Sequence, residues 1–291
     1  MIAIDWGTSA FRAYRLDAGG SVRERRAAQR GVLAVENGAF AEVLEAEIGD
    51  WLAQEREPVW MSGMIGSRQG WREVPYLPCP ADAAGIAAGC VEIGWGDGRR
   101  AAIVPGLLCR DAGGVPDVMR GEETQILGAL DALAGVRTVC LPGTHSKYAT
   151  LCGRRIERFA THMTGEVFGA LWRHTILGRL GGAETDRDDA AFDAGVARSA
   201  ESEGLLHHLF GVRGRGLLGE LPPASLAPYL SGVLIGHEIR AAAPQGPVGV
   251  IGTAELVRLY LRAFAACGVD AEAVAGEPAA RGLRLIAEAR Q

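Results

Sequence analysis

The chain has 291 residues, 48% of them hydrophobic and 22% charged, and carries a net charge of −5. Such a length encloses a large core and predicts two domains, while the slightly acidic balance excludes the basic footprint of a nucleic-acid or anionic-membrane binder. No apolar run reaches the length of a membrane span and the six cysteines lack CxxC spacing, so buried reduced thiols, a cytoplasmic setting and no zinc site are expected.

Met1 leads straight into a strand, without a signal peptide's basic, apolar and small-residue segments. Segments 2–5 and 11–16 predict a hairpin around Gly7, Thr8 and Ser9, with a third strand near 31–35 and with Arg23, Arg25 and Arg26 on a solvated hairpin edge. Over 38–54, Phe40, Val43, Leu44, Ile48, Trp51 and Leu52 fall on one helical face. Segment 58–67 predicts a strand running into a Gly-rich loop, 70–100 an irregular region near a cleft, and 101–107 another strand. A helix follows from Gly121, carried by Ile126, Leu127, Leu130 and Leu133. A second βα series begins at 136–151 and adds a helix near 165–178, an Asp- and Gly-rich loop over 181–195, and the segment 228–242. A buried strand at 248–252 then leads into a helix, and a last helix covers 279–290.

This alternation predicts the α/β class with mixed sheets. The boundary is expected within 110–136, dividing the chain into 1–118 and 119–291, with the helix at about 278–291 packing back on the first domain. DWGTSAFRAYRL at 5–16 and LPGTHSKYATL at 141–151 echo one another: strand, Gly-Thr turn, a following Ser, a basic residue, Tyr, second strand.

Each Gly-Thr turn has a chemical reading and a plain one. Beside Gly7, Thr8 and Ser9, Asp5 suits a hydrated Mg²⁺ while the turn's N–H groups and hydroxyls meet an oxyanion; the plain reading is a β-turn capped by its Asp. The second turn offers Gly143, Thr144, His145, Ser146 and Lys147. Adjacency of His145 and Ser146 does not make a hydrolase triad, and no GxSxG elbow is present. Walker A is absent, and GRGLLG at 214–219 lacks the strand before it and the helix after it. Glu122 and Glu123 open a helix, where either serves the helix dipole or acts as a general base. Arg68, Gln69 and Trp71 stand on a loop after a strand, where α/β proteins place ligand contacts. His174, His207, His208 and His237 lack ligand spacing and are expected on the surface or on helix faces, and Asp186, Asp188 and Asp189 read as a solvated acidic loop.

Taken together, IAIDWGTSAFRAY, MSGMIGSRQGWREVPYLPCPA, MRGEETQILGA, LPGTHSKY, THMTGE, YLSGVLIGHEI and GTAELVRLYLRAF resemble, in order and over nearly the whole chain, the segments of the 2-dehydro-3-deoxygalactonokinases. These belong to the actin-like ATPase and sugar-kinase superfamily. The resemblance implies a two-domain, ribonuclease H-like fold with mixed sheets and ATP bound between the domains. It implies ATP-dependent phosphorylation of the terminal hydroxyl of 2-dehydro-3-deoxy-D-galactonate in galactonate catabolism. The alternatives are a kinase for a related acid, such as the gluconate epimer, or a non-catalytic sugar- or nucleotide-sensing module.

By the same resemblance Asp5 orients the Mg²⁺ water shell, and Gly7, Thr8 and Ser9 contact the β- and γ-phosphates. Gly143, Thr144 and His145, with Ser146 and Lys147, form the second phosphate wall, and Gly252 and Thr253 lie near the adenosine with the helix around Ser231 and Gly232. The base is Glu122 or Glu123, with Asp5 a third candidate, where many sugar kinases carry Asp. Since the acceptor is an anion, Arg68 is expected to pair its carboxylate, Gln69, Trp71 and Tyr76 to shape the pocket, and Arg12 to be a weaker candidate. The partners expected are ATP and a small sugar acid, with no nucleic acid or membrane; a homodimer is left open.

Overall fold

Ile2, Ala3 and Ile4 are all fully buried, so the first strand lies inside a sheet, covered on both faces, rather than on an edge. The structure, a computed structural model, describes residues 1–54, 57–96, 98–183 and 187–290. Two compact units emerge: Met1–Ala134 with Leu151–Phe159 and Ala275–Gln291, and Gly135–Thr150 with Ala160–Val274.

In the first unit, β1 (Ile2–Trp6) and β2 (Phe11–Leu16) form the expected hairpin, and β3 (Val22–Ala28) extends it. Then come α1 (Phe40–Gln54), β4 (Val59–Ser62), the short β5 (Leu77–Pro78) and α2 (Ala83–Ala88). β6 (Val91–Trp95) and β7 (Arg99–Ile103) follow, then β8 (Leu107–Arg110), β9 (Pro116–Met119) and α3 (Glu122–Ala129). The main sheet has the order β3-β2-β1-β4-β7-β6, with β1, β4 and β7 mutually parallel and their neighbours antiparallel. The core predicted from helical spacing forms against this sheet: Leu44, Ile48 and Trp51 of α1 pack with Ile2, Ile4, Phe11 and Met61. Burying each such side chain contributes on the order of 1.5–3 kcal/mol.

The second unit starts at β10 (Thr138–Leu141) and β11 (Ser146–Cys152), the second Gly-Thr hairpin, and takes in only the end of β12 (Arg155–His162), whose residues up to Phe159 count with the first unit. Next are α4 (Thr164–His174), α5 (Asp189–Arg198), α6 (Leu205–Leu217) and α7 (Pro223–Ala242). β13 (Val248–Val250), α8 (Ala254–Ala266) and β14 (Ala271–Ala273) complete it. The sheet order is β12-β11-β10-β13-β14, with β10, β13 and β14 parallel. The last helix, α9 (Pro278–Ala289), packs on α3, α2 and β1 in the first unit through Ala279, Ala280, Leu283 and Ile286.

Several expectations need correction. The third strand is Val22–Ala28 rather than 31–35, because an edge strand tolerates the charges of VRERRAA, while Val32–Ala34 form a 3-10 turn. Segment 70–100 is not irregular throughout, since it contains α2 and β6, and the loop expected at 181–195 becomes α5 once Asp188 caps it by accepting from the Ala191 N–H. The first compact unit runs through α3 to Ala134, and α3 packs with α9. Asp186 lies outside the described residues. Cys152 is exposed rather than buried, and all six cysteines are free. As expected, GRGLLG is no phosphate loop; it falls largely inside α6. His208, expected on a surface or helix face, is fully buried, its Nδ1 2.9 Å from His237 Nε2. Among the described residues no helix is long and apolar enough to cross a membrane.

Candidate active site

In α/β sheets, ligands gather beyond the carboxyl ends of parallel strands. In the first unit β1 and β4 end side by side, with Asp5 in register with Ser62. Asp5 is almost wholly buried and faces Arg12 across the hairpin, Arg12 Nη1 donating to Oδ2 at 3.3 Å. Burial pushes the Asp5 carboxyl above the ordinary range, and the Arg12 charge opposes that. The adjacent turn is closed by the Gly7 N–H donating to Ala10 O at 2.9 Å, so that N–H is not available to an anion, whereas Thr8 and Ser9 are exposed.

Two glycines bring α3 to this carboxylate. Gly63, at φ +93°, follows β4 so closely that a Cβ there would stand 2.8 Å from Trp6 O and 3.4 Å from Asp5 Oδ1. Gly121, at φ +107°, lies against it: a Cβ at Gly121 would stand 3.2 Å from Gly63 Cα. Both φ values exclude most side chains. The start of α3 is thereby held beside the end of β1.

The paired acids at that helix start differ. Glu123 is fully buried and accepts the Gly121 N–H at 2.7 and 2.9 Å and the Thr124 hydroxyl at 3.1 Å. Glu122 is half-buried, and its Oε2 accepts the Arg120 N–H at 2.9 Å. Burial, reinforced by the Glu122 charge, pushes the Glu123 carboxyl up to about 8 from its ordinary 4.5. Between these values the folded chain keeps a proton that the unfolded chain has released, so this group's contribution to stability is full below about 4.5 and is lost as pH rises to about 8. Urea unfolding of Glu123→Gln from pH 5 to pH 8 is expected to show a flatter decline than the parent chain; parallel declines would place the proton elsewhere.

The sugar-acid loop is less enclosed than expected. The Arg68 side chain is 87% exposed and pairs with Glu73 at 3.1 Å, and Gln69 is exposed. Trp71 stacks on Phe40 and meets Trp95, which makes it part of the hydrophobic core's margin. Tyr76 lies with its ring 4.3 Å from the guanidinium carbon of Arg120. Arg120 was legible only as the residue before Gly121 in MRGEETQ; nothing in the pattern announced that it is buried.

In the second unit the two Gly-Thr turns follow neighbouring parallel strands, and the Ile251 N–H donates to Cys140 O at 2.9 Å. Thr144 and His145 form an exposed tip, with His145 Nε2 on the Glu166 carboxylate. Ser146 and Lys147 instead point inward: Ser146 Oγ is 2.8 Å from Tyr260 Oη, and Lys147 Nζ donates to Thr161 Oγ1 at 2.8 Å. Glu238 anchors this arrangement by accepting from the Tyr148 and Tyr260 hydroxyls, each at 2.9 Å, and burial raises its carboxyl. The α4 start closes on the turn, since a Cβ at Gly165 would stand 2.4 Å from Gly143 O. Gly252 and Thr253 are exposed, and Thr253 caps α8. Beside these turns a cavity of about 330 Å³ is lined by Gly143, Phe168, Phe192, Ser231 and Leu259, with Arg258 and Asp189 paired at its edge at 2.8 Å. An apolar slot with a few polar groups suits a planar heterocycle.

The sequence profile of the 2-keto-3-deoxy-galactonokinase family matches residues 5–286. A Rhizobium meliloti protein assigned as 2-dehydro-3-deoxygalactonokinase DgoK1 is 41% identical over 99% of this chain and 96% of its own length. The Escherichia coli K12 2-dehydro-3-deoxygalactonokinase is 38% identical over 99% and 97%. The crystal structure of a Sinorhizobium meliloti protein assigned to the same kinase superposes with a TM-score of 0.88 at 38% identity, covering 99% of this chain and 98% of that one. The 2-hydroxyisocaproyl-CoA dehydratase activator from Clostridium difficile, solved with ADPNP, has a TM-score of 0.51 at 13% identity over 100% and 95%, a likeness of fold alone.

Proposed function

The chain belongs to the 2-keto-3-deoxy-galactonokinase family and has the actin-like ATPase fold, and from that premise we propose that it phosphorylates the terminal hydroxyl of 2-dehydro-3-deoxy-D-galactonate with ATP. The observation that best supports the chemistry is the placement of Asp5 and Glu122 at strand and helix ends that Gly63 and Gly121 hold together.

Phosphoryl transfer asks a protein mainly for positioning and for neutralisation of charge. Thr8 and Ser9 on the first unit, and Thr144 and His145 on the second, are the exposed turn residues suited to phosphate oxygens. Ser146 and Lys147 act in this reading by stiffening their hairpin from within. The cavity beside Gly143 takes the adenosine, with Gly252 and Thr253 at the neighbouring strand end.

Mg²⁺ binds through one or two carboxylates, waters and substrate phosphates rather than through an all-protein cage. The donor set fits: Asp5 offers one carboxylate at the end of β1, and among the described residues no three or more His, Cys, Asp or Glu are grouped so as to hold a metal ion. When bound, the ion neutralises charge on the phosphate oxygens. Glu122 is the base in this reading, because Glu123 is sealed and engaged with Gly121 while Glu122 keeps solvent contact. It takes the proton of the attacking hydroxyl.

A coupled ADP-release assay with 2-dehydro-3-deoxygalactonate and its gluconate epimer tests the proposal. Turnover is expected to depend on the sugar acid and to favour the galactonate form in kcat/KM. A reversed preference moves the activity to the epimer, and ATP-dependent light scattering without sugar-dependent turnover makes the chain an assembly module.

A further inference from the structure

Arg120 is 91% buried, with a relative exposure of 9%, yet its charge has no carboxylate partner among the described residues. Its Nη2 donates to Val74 O at 2.7 Å. Its Nε and Nη1 are both buried and find no acceptor. A guanidinium stays charged at any physiological pH, and a buried donor left unpaired is costly to retain. The position is nonetheless closely built. Nη1 abuts Gly66, where a Cβ would stand 2.8 Å away, and the Tyr76 ring covers the guanidinium carbon at 4.3 Å. Tyr76 is itself 40% exposed, so the cover over the cation reaches the surface.

Position supplies the rest of the argument. Arg120 immediately precedes Gly121, which lies against Gly63 beside Asp5, and its N–H is held by Glu122. An unsatisfied cation thus belongs to the residue two before Glu122 and next to Gly121, which the Gly63 approach holds near Asp5. By contrast Arg68 is solvated and already paired with Glu73. We propose that Arg120, rather than Arg68, recognises the carboxylate of the acceptor acid, with Tyr76 as its movable cover. This rests on the sugar-acid kinase reading above. The ligand chemistry it selects is an anion delivered to two unpaired N–H donors, and the closing experiment separates an acceptor carboxylate from a nucleotide phosphate.

Steady-state kinetics on the full chain decide it, using the sugar acid and its carboxamide with wild type, Arg120→Gln, Arg120→Lys and Arg68→Ala. Wild type is expected to prefer the acid. Arg120→Gln is expected to raise KM for the acid by about 10- to 150-fold, the scale of a hydrogen bond to a charged group, leave KM for ATP unchanged, and erase the acid-over-amide preference. Arg68→Ala is expected to change neither constant. A uniform loss with the preference intact makes Arg120 structural and overturns the proposal, as does a rise confined to the ATP KM. If Arg120→Gln does not fold, Arg120→Lys carries the test: its acid-over-amide ratio must fall, and an unchanged ratio overturns the proposal. Failure of the kinase reading shows differently, as no sugar-dependent ADP release from wild type; calorimetric titration of the acid into wild type and the Arg120 variants then still reads recognition directly.

Discussion

Glu122→Gln is expected to lower kcat by about 10²–10⁴-fold, the usual share of a general base, with KM for ATP nearly unchanged. The substitution keeps the side chain's size and an oxygen able to accept the Arg120 N–H, so the helix start survives while the proton acceptor is lost. Glu123→Gln makes the contrast. Its carboxyl group lies behind the Gly121 N–H and has no surface from which to meet a substrate, so its replacement is expected to alter the pH dependence of stability far more than turnover. Stopped-flow or steady-state ADP release on the two variants checks this. Normal turnover in a folded Glu122→Gln chain would transfer the role to Asp5.

Gly282→Ala is expected to be the most damaging small substitution in the first unit. A Cβ at Gly282 would stand 1.8 Å from Thr124 O, and one at Gly128 would stand 1.9 Å from Pro278 O. Here α3 and α9 touch backbone to backbone, so no rotamer change makes room and the helices must separate. Overpacking of this kind costs about 3 kcal/mol, at the upper end of its usual range, which in a chain of this size lowers Tm by roughly 5 °C. Because α3 opens with Glu122, separation also moves the base, and kcat is expected to fall with stability. Gly211→Ala on α6 is the control: a Cβ there meets nothing within 4 Å, and the variant is expected to gain as much as about 1 kcal/mol from helix propensity. Thermal unfolding of both variants decides the matter, and an unshifted Tm for Gly282→Ala would mean that the helices are not packed this closely.

These two predictions separate what local pattern reveals from what packing decides. By itself the sequence determined the Gly-Thr hairpins, α1 and its buried face, the α/β alternation and the family, since periodicity, turn chemistry and ordered motifs are properties of neighbouring residues. β3 was misplaced because a charged edge strand has no apolar alternation to read. Only tertiary structure decided how chemically similar neighbours differ. Glu123 is sealed while Glu122 is not, Ser146 and Lys147 turn inward while Thr144 and His145 turn out, and Arg120 is enclosed while Arg68 is solvated. Each of those outcomes is set by residues distant in the chain: Tyr260 for Ser146, Val74 and Tyr76 for Arg120, and the Gly63–Gly121 approach for the α3 start. Burial and partner choice are sums over such contacts, and no window of sequence contains them.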